Sequence, residues 1–150
     1  MADYLLDTNF LIYLADERSN VNNRVGALRK LQSKLEQEDS TFFVSPLIRY
    51  EVLRNVEWQN PNKQQDLADK LAQFEMLDIT QAVSDLATEL YRFDKFEAEQ
   101  NQNKEQRNFE KRKFDMFHYA TANVNGLEIL SHDGDLDKIQ QLHKRMQEVE

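Results

Sequence analysis

Along this chain, short apolar runs alternate with longer stretches in which apolar residues recur every three or four positions. Tyr4 to Leu6 predicts a short buried strand, and Phe10 to Ala15 a brief helix for which Asp7 or Thr8 can serve as the cap. From Val21 to Glu38 the apolar residues Val25, Leu28, Leu31 and Leu35 mark an amphipathic helix with a charged outer face. "TFFV", Thr41 to Val44, predicts a second strand. In "SPLIRYEVLRNVEW", which follows it, Ser45 is the cap and Pro46 takes the first helical position, where its missing N–H costs nothing. Asn62 to Glu75 predicts a further helix, and Met76 to Ile79 a third short strand. Thr80 to about Glu99 predicts a long helix, capped by Thr80, with Ala82, Leu86, Leu90 and Phe93 on one side. The polar run Gln100 to Arg112 reads as a loop or an exposed helical extension. Lys113 to Asn125 is helical and closed by Gly126, and Leu127 to Ser131 is a fourth strand leading into His132 and Asp133. Leu136, Ile139, Leu142 and Met146 give the tail a helical period. Strands and helices alternate throughout, which predicts an α/β fold with a short, mostly parallel central sheet flanked by helices.

The chain has 150 residues, 40% of them hydrophobic, which suits one domain over 1–150 with a substantial core. It has no cysteine, which removes disulfides, thiol nucleophiles and thiolate zinc sites and makes the cytoplasm the expected compartment. The opening residues lack a basic leader, and their apolar stretch is too short for a bilayer, so no membrane is expected. Twenty-seven acids against nineteen bases give a net charge of -8, the wrong sign for gripping a polyanion by phosphate neutralisation alone. Either the partner is not a polyanion, or some of the acids bind cations that let one approach.

In open α/β sheets, ligands bind beyond the carboxyl ends of the strands. Asp7 and Asp133 each directly follow a predicted strand, Asp115 lies in the first turn of its predicted helix, and Glu51 lies one to two turns into the helix after "TFFVS". Converging carboxylates repel one another unless a divalent cation is present, and oxygen donors without cysteine favour magnesium or manganese over zinc. Such ions activate water for in-line attack on a phosphodiester and neutralise the leaving oxygen. Each acid also has a plainer reading: Asp7 as an N-cap, Glu51 as solvated surface, Asp115 as a charge complementing the helix dipole. His118 reads as packing among Phe114, Phe117 and Tyr119, and His132, beside the proposed site, equally as part of it or as a turn residue facing solvent. The basic run Arg107, Lys111, Arg112 and Lys113 is able to guide an RNA backbone but is diluted by Glu105 and Glu110.

Three blocks in order resemble the PIN domain family, and within it the VapC-type toxins of type II toxin–antitoxin pairs: "LLDTNFLIYL", "VSPLIRYEVLR" and "FDMFHYATANVNGLEILSHDGDLDKI". The resemblance implies a PIN-like fold and a magnesium- or manganese-dependent endoribonuclease that cuts single-stranded or loop RNA. It matches Asp7, Glu51, Asp115 and Asp133 to the family's four metal-binding acids, and Asn9 to a residue that orients the first of them. Ser131 stands in place of the usual threonine, where its hydroxyl supports the ligands from behind. Asp135-Leu136 stands where the family tends to have Asp-Phe, so Asp135 competes with Asp133 for the fourth place, and the helical tail replaces an expected closing strand. A small antitoxin partner and a homodimer are further implications of the resemblance. Two alternatives stand beside it: a haloacid dehalogenase-type phosphotransfer enzyme, which also opens with a strand and an aspartate, and a PIN-like module that binds RNA or protein without cutting.

Overall fold

The computed structural model describes residues 3–15, 22, 25–26, 28–30, 33, 40–100, 108–131 and 134–149. Four strands, β1 (Asp3–Leu6), β2 (Thr41–Val44), β3 (Glu75–Met76) and β4 (Glu128–Leu130), form one sheet in the order β3-β2-β1-β4, with every pairing parallel. Among the described residues, six helices with defined bounds accompany them: α1 (Thr8–Ala15), α2 (Pro46–Leu53), α3 (Pro61–Leu71), α4 (Gln81–Gln100), α5 (Phe109–Asn125) and α6 (Asp135–Val149). The described residues of the predicted Val21–Glu38 helix are helical, and the remainder of it lies outside the described residues. No described helix is long and apolar enough to cross a membrane.

Local chemistry sets most of the boundaries. The Ser45 side chain accepts from the Ile48 amide at 3.1 Å with Pro46 in the first turn, and Asn60 does the same for α3 with Pro61 behind it. Caps of this kind are each worth about 1 kcal/mol. At the far end of α5, Gly126 takes a left-handed conformation, φ 68°, and the chain then enters β4.

Two apolar clusters fill the interior. The first lies between the sheet and α1 and α2, around Tyr4, Leu5, Leu6, Phe10, Val44 and Ile48. The second lies among α4, α5 and α6, around Val83, Leu90, Met116, Ile139 and Leu142. The tail is helical as its period predicts, with Leu136, Ile139, Leu142 and Met146 all buried.

Several expected boundaries need correction, among them the helix read over Asn62–Glu75, which ends at Leu71 and leaves Glu75 to β3. The third strand is only Glu75–Met76, continued by one bond from the Leu77 amide to the Val44 carbonyl, because β2 beside it ends at Val44 and Ser45 turns into α2. The buried stripe of α4 runs through Val83, Ala87, Leu90 and Asp94, whereas Ala82 is exposed. A charged residue can hold a core row here because Arg112 reaches Asp94 from α5, with contacts of 3.1 and 3.0 Å. Helix α5 begins at Phe109 rather than Lys113, because the Asn108 side chain caps it by accepting from the Lys111 amide.

Candidate active site

All four strands run the same way, so the residues that follow them emerge on one edge of the sheet. Register decides who stands beside whom. Leu6 pairs with Leu130 and Leu5 with Phe43, so one step beyond the first pair and two beyond the second set Asp7 between Ser131 and Ser45. The backbone completes the row: the Asp7 amide donates to the Leu130 carbonyl at 3.0 Å, and the Asp7 carbonyl accepts from the Leu11 amide to start α1. Asp7 is therefore both the entry to a helix and a buried carboxylate, 2% exposed. The Ser131 hydroxyl donates to its Oδ2 at 3.3 Å, which is the supporting contact expected of that serine. Asn9 sits half-buried in the first turn of α1.

Glu51 reaches the site by a different route. Six residues beyond Ser45, it lies in the second turn of α2, partly buried, and its Oε1 meets Nε2 of His118 on α5. The His118 ring is 1% exposed, and its Nδ1 is buried with no hydrogen-bond partner among the described residues. Asp115 is half-buried one turn before His118 on the same helix, so the two share a face. The expectation that Asp115 lies in the first turn is corrected by the start of α5 at Phe109, which moves it to the second turn.

Asp133 and His132 lie outside the described residues. Asp135 is the first residue of α6 and forms ion pairs with Lys111 at 2.9 Å and Lys138 at 3.9 Å. Among the described residues, no three His, Asp or Glu side chains are grouped as they are around a metal ion. The donor chemistry nonetheless suits a hard divalent cation: Asp7 is a carboxylate withdrawn from water at the sheet edge, Glu51 and Asp115 offer further oxygens, and the chain has no cysteine thiolate.

The model of the PIN domain matches residues 4–142. The chain belongs to the PIN domain family. Among solved structures, this PIN domain is similar to VapBC2 of Rickettsia felis, bound there to a promoter DNA fragment, with a TM-score of 0.63, 17% identity and 91% of each chain covered. It is also similar to a toxin–antitoxin complex from Klebsiella pneumoniae, with a TM-score of 0.58, 20% identity and 87% of each chain covered. A third similar structure is VapC20 of Mycobacterium tuberculosis, described as a toxin that cleaves the sarcin-ricin loop, with a TM-score of 0.57, 15% identity and coverage of 90% of this chain and 93% of that one. At these identities the likeness is one of fold. No curated protein sequence matches the chain.

Two features of this PIN domain escape a reading of its sequence. His118 packs as expected, yet it also ties α5 to α2 through Glu51, and the clue was its three-residue spacing from Asp115. The basic run, in turn, is largely committed within the fold: Lys111 to Asp135, Arg112 to the fully buried Asp94, and Lys113 to Glu110 at 2.6 Å. That last contact holds the Glu110 carboxyl below its ordinary range, first through the hydrogen bond from Lys113 and then through its charge. Arg107 lies outside the described residues.

Proposed function

We propose that this PIN domain is a divalent-metal-dependent endoribonuclease and the toxin of a type II toxin–antitoxin pair. The observation that carries the reading is Asp7, a buried carboxylate on the carboxyl edge of a parallel sheet, hydrogen-bonded by Ser131 in a chain of PIN family membership. A carboxylate in that position is costly to bury unless a cation or donors compensate it. Asp7, Glu51, Asp115 and Asp133 would hold magnesium or manganese, with Asp135 the substitute for Asp133. When bound, the ion would activate water for attack on an RNA phosphodiester and offset charge at the leaving oxygen.

The chain's own residues have separable tasks in this reading. Ser131 orients Asp7 from the neighbouring strand, and Asn9 supports the same acid from α1. His118 fixes the direction of Glu51, so that α2 and α5 present their acids together. An RNA substrate, a small antitoxin partner, a homodimer and a cytoplasmic setting complete the proposal. Support for the antitoxin comes from the toxin–antitoxin complexes that share this fold, and support for RNA from the cleaving toxin that does.

The test is incubation of the purified protein with a total RNA pool in magnesium or manganese, with and without EDTA. Discrete cleavage products that vanish with EDTA are expected. A pool left intact with either metal would leave the binding-only reading in possession, and cleavage undiminished by EDTA would sink the metal mechanism.

A further inference from the structure

Next to the carboxylates, the surface changes character. Tyr50 immediately precedes Glu51 on α2, and Phe114 immediately precedes Asp115 on α5. Their rings approach to 6.5 Å between centroids at 48°, bridging the two helices. The Arg54 guanidinium lies 5.1 Å from the Phe114 centroid and 5.5 Å from that of Tyr50, and the Lys113 ammonium lies 5.4 Å from Phe114. Two aromatic rings and two cations thus form one patch bordering Glu51 and Asp115.

The patch is poorly explained as structural glue. Tyr50 is 53% exposed and Arg54 is exposed, and cation–π contacts at such sites contribute only about 0.5–1 kcal/mol. Lys113 is shared with Glu110, but Arg54 makes no ion pair among the described residues. On a chain of net charge -8, Arg54 is an exposed cation held over one exposed and one half-buried ring, beside the acids. Aromatic faces interleaved with cations are what single-stranded nucleic acid needs, since bases stack on the rings while the phosphates meet the charges. A double helix offers neither free base faces nor this spacing.

We infer that Tyr50, Phe114, Arg54 and Lys113 form a subsite for an unpaired RNA segment, with one base stacked on Tyr50 and the adjoining phosphate on Arg54. This rests on the ribonuclease reading above and adds to it the residues that grip the unpaired segment beside the bond to be cut. The subsite positions substrate and takes no part in the bond-making itself.

The experiment is fluorescence titration of the full chain, in EDTA so that nothing is cut, with a single-stranded oligoribonucleotide carrying 2-aminopurine. The intact protein should quench the 2-aminopurine, and a duplex of the same sequence should compete poorly. Tyr50→Ala should weaken binding about tenfold and abolish the quench, while Tyr50→Phe keeps both. Arg54→Met should weaken binding and lower the salt slope by about one unit. Unfolding midpoints unchanged from the parent would show that these exposed substitutions leave the fold intact. Binding and quench unaltered in Tyr50→Ala would overturn the subsite, as would a homodimer that Tyr50→Ala converts to monomer, which would make the patch a contact between copies. The two readings fail separately. Metal-dependent cleavage that is indifferent to Tyr50→Ala removes the subsite alone, whereas quenching by a protein that cuts no RNA removes the nuclease and leaves the subsite.

Discussion

Replacing Arg112 with methionine should destabilise this domain more than almost any other single change at a polar residue. Asp94 is fully buried in the apolar row of α4, and Arg112, whose side chain is 18% exposed, is held against it at 3.1 and 3.0 Å. At that separation and an effective dielectric of about 20, the gross attraction is about 5 kcal/mol, most of it offsetting the desolvation of the two groups. Arg112→Met withdraws the attraction and leaves the desolvated carboxylate behind, at a cost of about 3–5 kcal/mol. Against a total stability of about 5–15 kcal/mol, that is a large share. Urea unfolding followed by circular dichroism should show it as a midpoint lowered by about 2 M for a slope near 2 kcal/mol/M. The double variant Asp94→Leu/Arg112→Met should recover most of the loss, because an apolar pair fills the row without a stranded charge. A single variant costing under about 1 kcal/mol, or a double variant no better than the single, would refute the reasoning.

Leu142 is fully buried against α4 and α5, so Leu142→Ala should lower stability by about 2–5 kcal/mol in the same assay, and a surface-like loss would mean the tail helix is not part of the core. Gly126→Ala should cost about 1–2 kcal/mol through backbone strain alone, since φ is 68° and a Cβ there would meet nothing within 4 Å; differential scanning calorimetry reads it directly. Tyr119 titrates above its ordinary value of 10.0, because burial disfavours the phenolate more than the Asn123 hydrogen bond favours it. The folded state therefore keeps a proton that the unfolded chain releases, and stability falls as pH rises from about 10 through the folded value. Tyr119→Phe should flatten that alkaline slope in urea midpoints measured from pH 9 upward, and an unchanged slope would assign it to other groups.

How far these features were legible in the sequence depends on whether their causes are local. The strand Thr41–Val44 and the start of α2 come out as read, because Ser45 and Pro46 act within one turn of where they sit. Gly126 marks the end of α5 for the same reason. The start of α5 was hidden, since its cap, Asn108, stands in a polar run where only Phe109 carries an apolar signal. The α4 stripe was misplaced because Asp94 is held in the core by Arg112, eighteen residues on. At the candidate site, Asp7 and Ser131 each stand out in the sequence, but their contact spans 124 residues and follows from strand register. The union of Glu51 with His118 spans 67 residues and depends on how α5 lies against α2, which no local pattern encodes.

The central claim is that chemistry on RNA depends on the carboxylate of Asp7. The most direct measurement is RNA cleavage by Asp7→Asn beside the parent protein, at equal concentration in magnesium or manganese, with the fold of both checked by circular dichroism. The substitution keeps the size of the side chain and the polar contact open to Ser131 while removing the charge a cation needs. A folded variant with cleavage abolished is expected. Cleavage by folded Asp7→Asn at the parent rate would contradict it.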